Sequence, residues 1–156
     1  MKTLFRFFAL ALTLSPGFAQ SVKLGDLTIE NPWARATPKG AEVGAGYLTI
    51  RNDGPAADRL TWISTDFAKV QMHEMKMADG VMEMRELTDG VEIPAHGAVK
   101  FAPGGNHLMF VGLKAPLVKG GSVRATLTFA HAGSTALEMP IESAGASGPM
   151  APMKGM

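Results

Sequence analysis

Apolar and polar residues alternate along most of this chain, and glycine or proline interrupts the alternation about every ten residues. Successive side chains of a β-strand point to opposite faces, so a period of two indicates strands with one buried face. The segment 123–129 is a clear example, in which arginine or threonine alternates with Val123, Ala125, Leu127 and Phe129. No window has the periodicity of a three-turn amphipathic helix. The pattern predicts an all-β domain, either a sandwich or a barrel.

Composition narrows the function classes. The 156 residues suffice for one domain, and 46% hydrophobic with 19% charged residues is typical of a globular chain. Lys and Arg number 15 against 14 Asp and Glu, so we expect no basic surface for nucleic acid. The absence of cysteine excludes disulfides, thiolate metal ligands and a lipid-modified N-terminal cysteine. Methionine, with 11 residues, is unusually abundant.

The first 19 residues have the layout of a secretory signal peptide. Lys2 and Arg6 precede an apolar stretch over 7–14, which is too short to span a bilayer. A Ser-Pro-Gly-Phe-Ala segment follows, so we expect cleavage after Ala19 and a periplasmic protein without stable membrane insertion. The alternative is a buried N-terminal helix. We therefore assign 1–19 to the signal peptide, 20–141 to the β domain and 142–156, rich in Gly, Ala, Pro and Ser, to a flexible tail.

One predicted hairpin carries a concentration of sulfur and imidazole. Asp79-Gly80 is a strong signal for a type I′ turn, which would pair Ala78 with Val81. That register places His73 opposite Glu86, Met75 opposite Met84 and Met77 opposite Met82. One face of the hairpin then gathers His73, Met75, Met77, Met82 and Met84. A slip by one residue would move the members of one strand to the other face.

A second His-Met pair lies on another predicted strand. His107 and Met109 are two residues apart, so they share a face about 7 Å apart. Thioether and imidazole ligands together suit Cu(I) better than Zn²⁺, Mg²⁺ or Ca²⁺. A blue-copper electron-transfer site is excluded because it requires cysteine. The alternative is that these methionines only pack in the core and the histidines are structural.

The spacing of these residues resembles the signature of the periplasmic copper chaperone family called PCu(A)C. That signature is a His, ten residues, a Met, about twenty-one residues and then His-x-Met. In this chain ten residues separate His73 from Met84, and 22 residues separate Met84 from the His107-Leu108-Met109 triplet. The segments 31–38, 44–47, 79–82 and 103–109 are also similar to the family, and the resemblance spans about 22–141.

The resemblance implies a single-domain, cupredoxin-like β-sandwich with an immunoglobulin-like Greek-key arrangement. It implies that one Cu(I) is bound by His73, Met84, His107 and Met109. It also implies transfer to a copper-receiving protein, such as the copper subunit of cytochrome c oxidase, together with a Sco-type protein. A copper-sequestering or tolerance protein would have the same ligands, and a non-metal assembly or adhesion domain would have methionines that only pack.

Other residues remain candidates for secondary roles. Met75 is a possible second metal ligand, and the tail carries Met150, Met153 and Met156, which could capture Cu(I) or, at a secondary site, Cu(II). The tail could equally be a low-complexity end without a role. Trp33 and Trp62 are expected in the core. No hydrolase elbow or zinc-protease motif is present, so we expect no enzymatic activity.

Overall fold

The computed structural model describes residues 21–149, and this part of the chain contains eleven strands and no helix. The predicted all-β class is confirmed. The strands, numbered in chain order, are β1 (Ser21–Leu24), β2 (Leu27–Arg35), β3 (Val43–Asn52), β4 (Asp58–Ser64), β5 (Lys69–Ala78), β6 (Val81–Glu86), β7 (Val91–Ile93), β8 (Gly97–Phe101), β9 (His107–Val111), β10 (Ser122–Phe129) and β11 (Gly133–Glu142).

The strands form one continuous hydrogen-bonded path in the order β6-β5-β9-β3-β2-β11-β10-β4-β7. Strand β1 adds to β2, and β8 adds to β3. The pairing of β11 with β2 is parallel, through Ile141 opposite Ala34 and Glu142 opposite Arg35. The named strand pairs on the rest of the path are antiparallel. Strand β11 thus joins the β6-to-β2 half of the path to the β10-to-β7 half.

Both halves contribute buried side chains to one hydrophobic core. Leu48 of β3 and Phe110 of β9 are at most 1% exposed, as are Leu127 of β10 and Met139 of β11. At Gly46 an added Cβ would lie 2.8 Å from the Phe110 ring and 3.0 Å from the Met139 methyl. Glycine is required there because the Phe110 ring and the Met139 methyl leave no room for a side chain.

The predicted β5–β6 hairpin is confirmed in both turn and register. Asp79 and Gly80 have φ angles of 49° and 78°, as a type I′ turn requires. Ala78 pairs with Val81 across the turn, and the predicted register continues along both strands with Met77 opposite Met82, Met75 opposite Met84 and His73 opposite Glu86.

The prediction that both tryptophans lie in the core is wrong for Trp62, which is 58% exposed. The register of β4 against β10 shifts near Trp62, because Leu60 pairs with Phe129 while Trp62 pairs with Thr128. A β-bulge changes which residues face inward, and the period-two pattern could not show it. Trp33 is buried as expected, although it follows a similar shift in β2 and packs on Tyr47 with ring centroids 4.5 Å apart.

The two ends of the domain lie near the limits of the described residues. The predicted signal peptide and its cleavage position lie outside these residues, as do Met150, Met153 and Met156 of the tail. Strand β11 extends through Glu142, one residue into the segment assigned to the tail, and Arg35 Nη2 donates a hydrogen bond of 2.8 Å to the Ala146 carbonyl. Within residues 21–149 we find no helix with the length and apolarity needed to cross a membrane.

Candidate metal centre

Two histidines lie directly opposite each other on adjacent strands. His73 is in β5 and His107 begins β9, and the antiparallel register pairs them. Their rings stack with centroids 5.6 Å apart and planes 20° from parallel. The inward neighbours of both histidines, Met72 and Leu108, are buried and also pair with each other. The core therefore fixes both strands while the two imidazoles lie on the outward face.

The two predicted methionine ligands lie on the same face as the histidines. Met109 follows His107 by two residues and pairs with Gln71, which precedes His73 by two. Met84 of β6 pairs with Met75, one diagonal step from His73, and is 52% exposed. The structure thus brings all four residues of the predicted metal site onto neighbouring positions of three adjacent strands.

The loop before β9 determines which nitrogen of His107 is free. Ala102 and Asn106 close the loop, since the Ala102 N–H donates to the Asn106 carbonyl at 2.8 Å. Nδ1 of His107 lies 3.1 Å from the Gly105 carbonyl oxygen. A carbonyl only accepts hydrogen bonds, so Nδ1 carries the proton and Nε2 keeps its lone pair. Metal-binding histidines are commonly oriented by such a bond.

His73 has the opposite arrangement. Its Nε2 lies 3.2 Å from Gln71 Oε1, so Nε2 is the donor and Nδ1 carries the lone pair. This Nδ1 is buried and has no hydrogen-bond partner. Burial lowers the pKa of His73 from its ordinary value of 6.5, the neighbouring His107 lowers it further, and Glu86 opposes both effects. A neutral imidazole with an unsatisfied lone pair is the form that binds metals.

Met84, His107 and Met109 border a shallow cavity of about 380 Å³, whereas His73, which pairs with His107, does not line it. Its other walls come from β3 and from the segment after β2. The lining residues are Arg35, Ala36, Thr37, Pro38, Val43, Gly44, Ala45, Met84, His107 and Met109. A larger concavity of about 660 Å³, between Phe67 and Leu117, contains no histidine or methionine. We place the candidate site at the smaller cavity because it has the donor groups.

An aromatic cluster next to the cavity was not predicted from the sequence. The Arg35 guanidinium carbon lies 5.9 Å from the Trp33 ring centroid and 5.5 Å from that of Tyr47, within the range of cation–π attraction. Burial raises the pKa of Tyr47, and the Arg35 charge opposes that effect. The β-bulge before Trp33 places this cluster beside the site, and nothing in the period-two pattern signals the bulge.

Two further residues beside the site, Gln71 and Glu86, were given no role in the sequence analysis. Gln71 shares a face with His73 by the same spacing that selected Met75, but the spacing does not show that it contacts His73 Nε2. Glu86 was placed opposite His73 by the predicted register but was given no role. The remaining two histidines lie elsewhere: His96 is exposed in a turn with φ of 50°, and His131 is exposed between β10 and β11.

The donor set is chemically soft. Two imidazoles and two thioethers are neutral, and thioether sulfur favours Cu(I) over Mg²⁺, Ca²⁺ or Mn²⁺. Over residues 21–149 no three side chains of His, Cys, Asp and Glu are grouped closely enough to hold a metal ion. Glu74, next to His73 in sequence, points away from the site and receives a 2.8 Å hydrogen bond from Arg85 Nε. It is therefore badly placed to act as a base for a metal-bound water.

Comparison with known sequences identifies a family. The sequence model of the family described as "Putative lipoprotein LpqE-like" matches residues 27–141. "Putative lipoprotein Lxx21020" from Leifsonia xyli subsp. xyli (strain CTCB07) is 30% identical over 115 residues, which cover 73% of this chain and 68% of that protein.

Comparison with solved structures agrees with this result. The apo PCuAC domain of PmoF2 matches with a TM-score of 0.70 and 25% identity, over 83% of this chain and 100% of that chain. The copper-bound PCuAC domain from PmoF2 matches with a TM-score of 0.67 and 29% identity, over 80% and 98%. CuI-DR1885 from Deinococcus radiodurans, with a TM-score of 0.59, 24% identity and coverage of 80% and 81%, shares the fold. The predicted cupredoxin-like fold and the resemblance to PCu(A)C proteins are confirmed, and the chain belongs to the LpqE-like family of PCuAC-type proteins.

Proposed function

We propose that this protein is a periplasmic copper chaperone that binds one Cu(I) through His73, Met84, His107 and Met109 and passes it to a partner. The observation that carries this proposal is the direct pairing of His73 with His107, with both methionines on the same face. Each imidazole has one nitrogen engaged within the protein and one free. In this assignment His73 binds through Nδ1 and His107 through Nε2.

The neutral donor set explains why the protein would hold Cu(I) in an oxidising compartment. Thioether and imidazole cannot form disulfides, whereas thiolates in such a compartment can. The copper-bound PCuAC domain from PmoF2, a relative of the same fold, supports copper binding by this chain. Export through a cleaved signal peptide over 1–19 fits relatives whose names describe lipoproteins.

The position of the site favours transfer over permanent storage. Strand β6 lies at the end of the hydrogen-bonded path, and Met84 on it is 52% exposed. A partner can therefore approach Met84 directly, and the flexible thioether can leave the ion as a partner ligand binds. This exchange needs no redox step and no catalytic base, so we propose a metal-transfer role without enzymatic activity.

We propose the copper subunit of cytochrome c oxidase as the receiver, with a Sco-type protein acting alongside. The alternative within the same chemistry is copper sequestration for tolerance. Mixing the Cu(I)-loaded protein with the isolated copper-binding domain of an oxidase subunit distinguishes the two. Transfer in minutes supports delivery, whereas retention of copper by this protein supports sequestration.

Cu(I) binding itself is tested by anaerobic titration against a chromophoric chelator. We expect one tight equivalent, which the paired substitution His73→Ala/Met84→Ala abolishes. The matched control is His131→Ala, which removes an exposed histidine far from the site and should retain the equivalent. A wild-type protein that binds no Cu(I), or a paired variant that retains the tight equivalent, would overturn the proposal.

A further inference from the structure

Strands β5 and β6 contain five methionines, and four of them form two directly opposed pairs, which we call the methionine ladder: Met75 with Met84, and Met77 with Met82. The assigned copper ligands include only Met84. The ladder lies on the face that carries His73 and continues from the candidate site to the Asp79-Gly80 turn.

Exposure distinguishes the ladder from methionines that pack. Met72 and Met139 are 8% and 0% exposed and belong to the core. Met77, Met82 and Met84 are 60%, 48% and 52% exposed. Packing within the described domain therefore does not account for the outer part of the ladder, because an apolar side chain gains free energy only when it leaves water.

The other face of the same hairpin follows the usual rule for an exposed edge. Glu74 and Arg85 are paired by a hydrogen bond of 2.8 Å, and Lys76 lies opposite Glu83. Charged residues on an edge strand discourage aggregation. The four methionines of the ladder all lie on the face that carries His73, whereas Met72, on the other face, is buried in the core. They are also unbranched, so β-propensity, which favours valine, isoleucine and threonine, does not select them.

We propose that Met75, Met77 and Met82 form a second, weaker Cu(I)-binding position that shares Met84 with the first and provides the route by which the ion enters or leaves. Directly opposed side chains lie about 5 Å apart and successive ones on a strand about 7 Å apart, distances that a three-torsion thioether can span. The outer position lacks imidazole, so it binds more weakly than the histidine site.

The step along the ladder is ligand exchange. A Cu–S bond to Met75 forms while a bond between copper and a histidine nitrogen breaks, with Met84 bound throughout. Copper stays Cu(I), and no proton moves because the thioether sulfur and the imidazole nitrogen each bind and leave through a neutral lone pair. The inference rests on the proposed function, since it assumes that the histidine site holds Cu(I).

The test is an anaerobic Cu(I) titration of protein labelled with ¹³C at the methionine methyl groups. We expect the first equivalent to shift the signals of Met84 and Met109, and the second to shift those of Met77 and Met82. Met72 and Met139 act as internal controls for the fold. To remove the tail from the result, the experiment is repeated with Met150, Met153 and Met156 all changed to leucine.

The paired substitution Met77→Leu/Met82→Leu keeps the apolar surface and removes two sulfurs. We expect it to abolish the second equivalent in the tail-substituted protein and to retain the first. If Met77 and Met82 do not shift, or the paired variant still binds two equivalents, the ladder does not bind copper. Failure of the proposed function would look different, because the first equivalent itself would be absent.

Discussion

The polar cluster around Asp58 and the one around His73 differ in how many of their hydrogen-bonding atoms have a partner. Asp58, which is 8% exposed, accepts backbone N–H bonds from Arg59 at 2.7 Å, His131 at 3.0 Å and Ala132 at 2.9 Å. His73 has one bond to Gln71, and its buried Nδ1 has no partner.

The difference separates a polar group that serves the fold from one that is available to a ligand. Asp58 holds the turn between β10 and β11 against the start of β4, and both of its oxygens are engaged. The lone pair of His73 Nδ1 is buried and has no hydrogen-bond partner. Buried polar groups are nearly always paired, so such an exception calls for an explanation, and a bound ion provides one.

The largest expected effect is on stability, at Asp58. The substitution Asp58→Ala leaves three backbone N–H groups without their acceptor, and we expect a loss of about 3 kcal/mol in the free energy of unfolding. For a domain of this size that lowers Tm by about 10 °C. Differential scanning calorimetry measures the change, and Asp58→Asn, which keeps one acceptor oxygen, should lose less. The dissociation constant for Cu(I) should be unchanged at temperatures where the variant is folded.

The converse experiment uses the other cluster. We expect His107→Ala to raise the Kd for Cu(I) about 100-fold, which corresponds to about 2.7 kcal/mol. Tm should change by less than about 2 °C, because the side chain is partly exposed and few groups depend on it. Chelator competition and calorimetry on the same sample give both values, with His131→Ala as the control. A large loss of stability with unchanged Kd would make His107 a structural residue and erase the contrast with Asp58.

Much of the candidate metal site could be predicted from the sequence, whereas the Asp58 cluster could not, and the difference has a physical cause. The Asp79-Gly80 turn fixed the register of β5 and β6, and register alone places Met84 near His73. The spacing of His107 and Met109 put them on one face. The pairing of β5 with β9 is a long-range contact that local periodicity does not contain, and the resemblance to PCu(A)C proteins supplied it at the sequence level.

Bulges and distant backbone N–H donors account for most of what was missed. The exposure of Trp62 and the position of Trp33 beside the site depend on single-residue register shifts. The role of Asp58 depends on N–H groups about 73 residues away, which have no side-chain signature. The hydrogen bond between Gln71 and His73 could not be predicted without knowing which nitrogen of His73 carries the proton.

Gln71 permits an intermediate test that sharpens the comparison. The substitution Gln71→Leu removes the acceptor for His73 Nε2–H, so we expect His73 to lose its single tautomer and the Kd for Cu(I) to rise about tenfold. Long-range ¹H–¹⁵N correlation spectra report the tautomer before metal is added. Gln71→Glu retains an acceptor oxygen and should keep the Nε2–H form. If His73 is already protonated at Nδ1 in the wild type, the assignment of Nδ1 as its metal-binding nitrogen is wrong.

The smallest effect concerns the pKa of His73 in the metal-free protein, which depends on burial and on the charges of His107 and Glu86. Burial and the His107 charge hold this pKa below 6.5, so the unfolded chain takes up a proton before the folded protein does as the pH falls. The contribution of His73 to stability is therefore complete above about pH 6.5 and declines as the pH falls toward the pKa of the folded state. His107→Ala should raise the pKa of His73, whereas Glu86→Gln should lower it further, because Glu86 favours the charged imidazolium. An NMR titration of the His73 ring protons measures both shifts, and shifts of the reverse sign would mean that the two strands do not hold these side chains around His73 in solution.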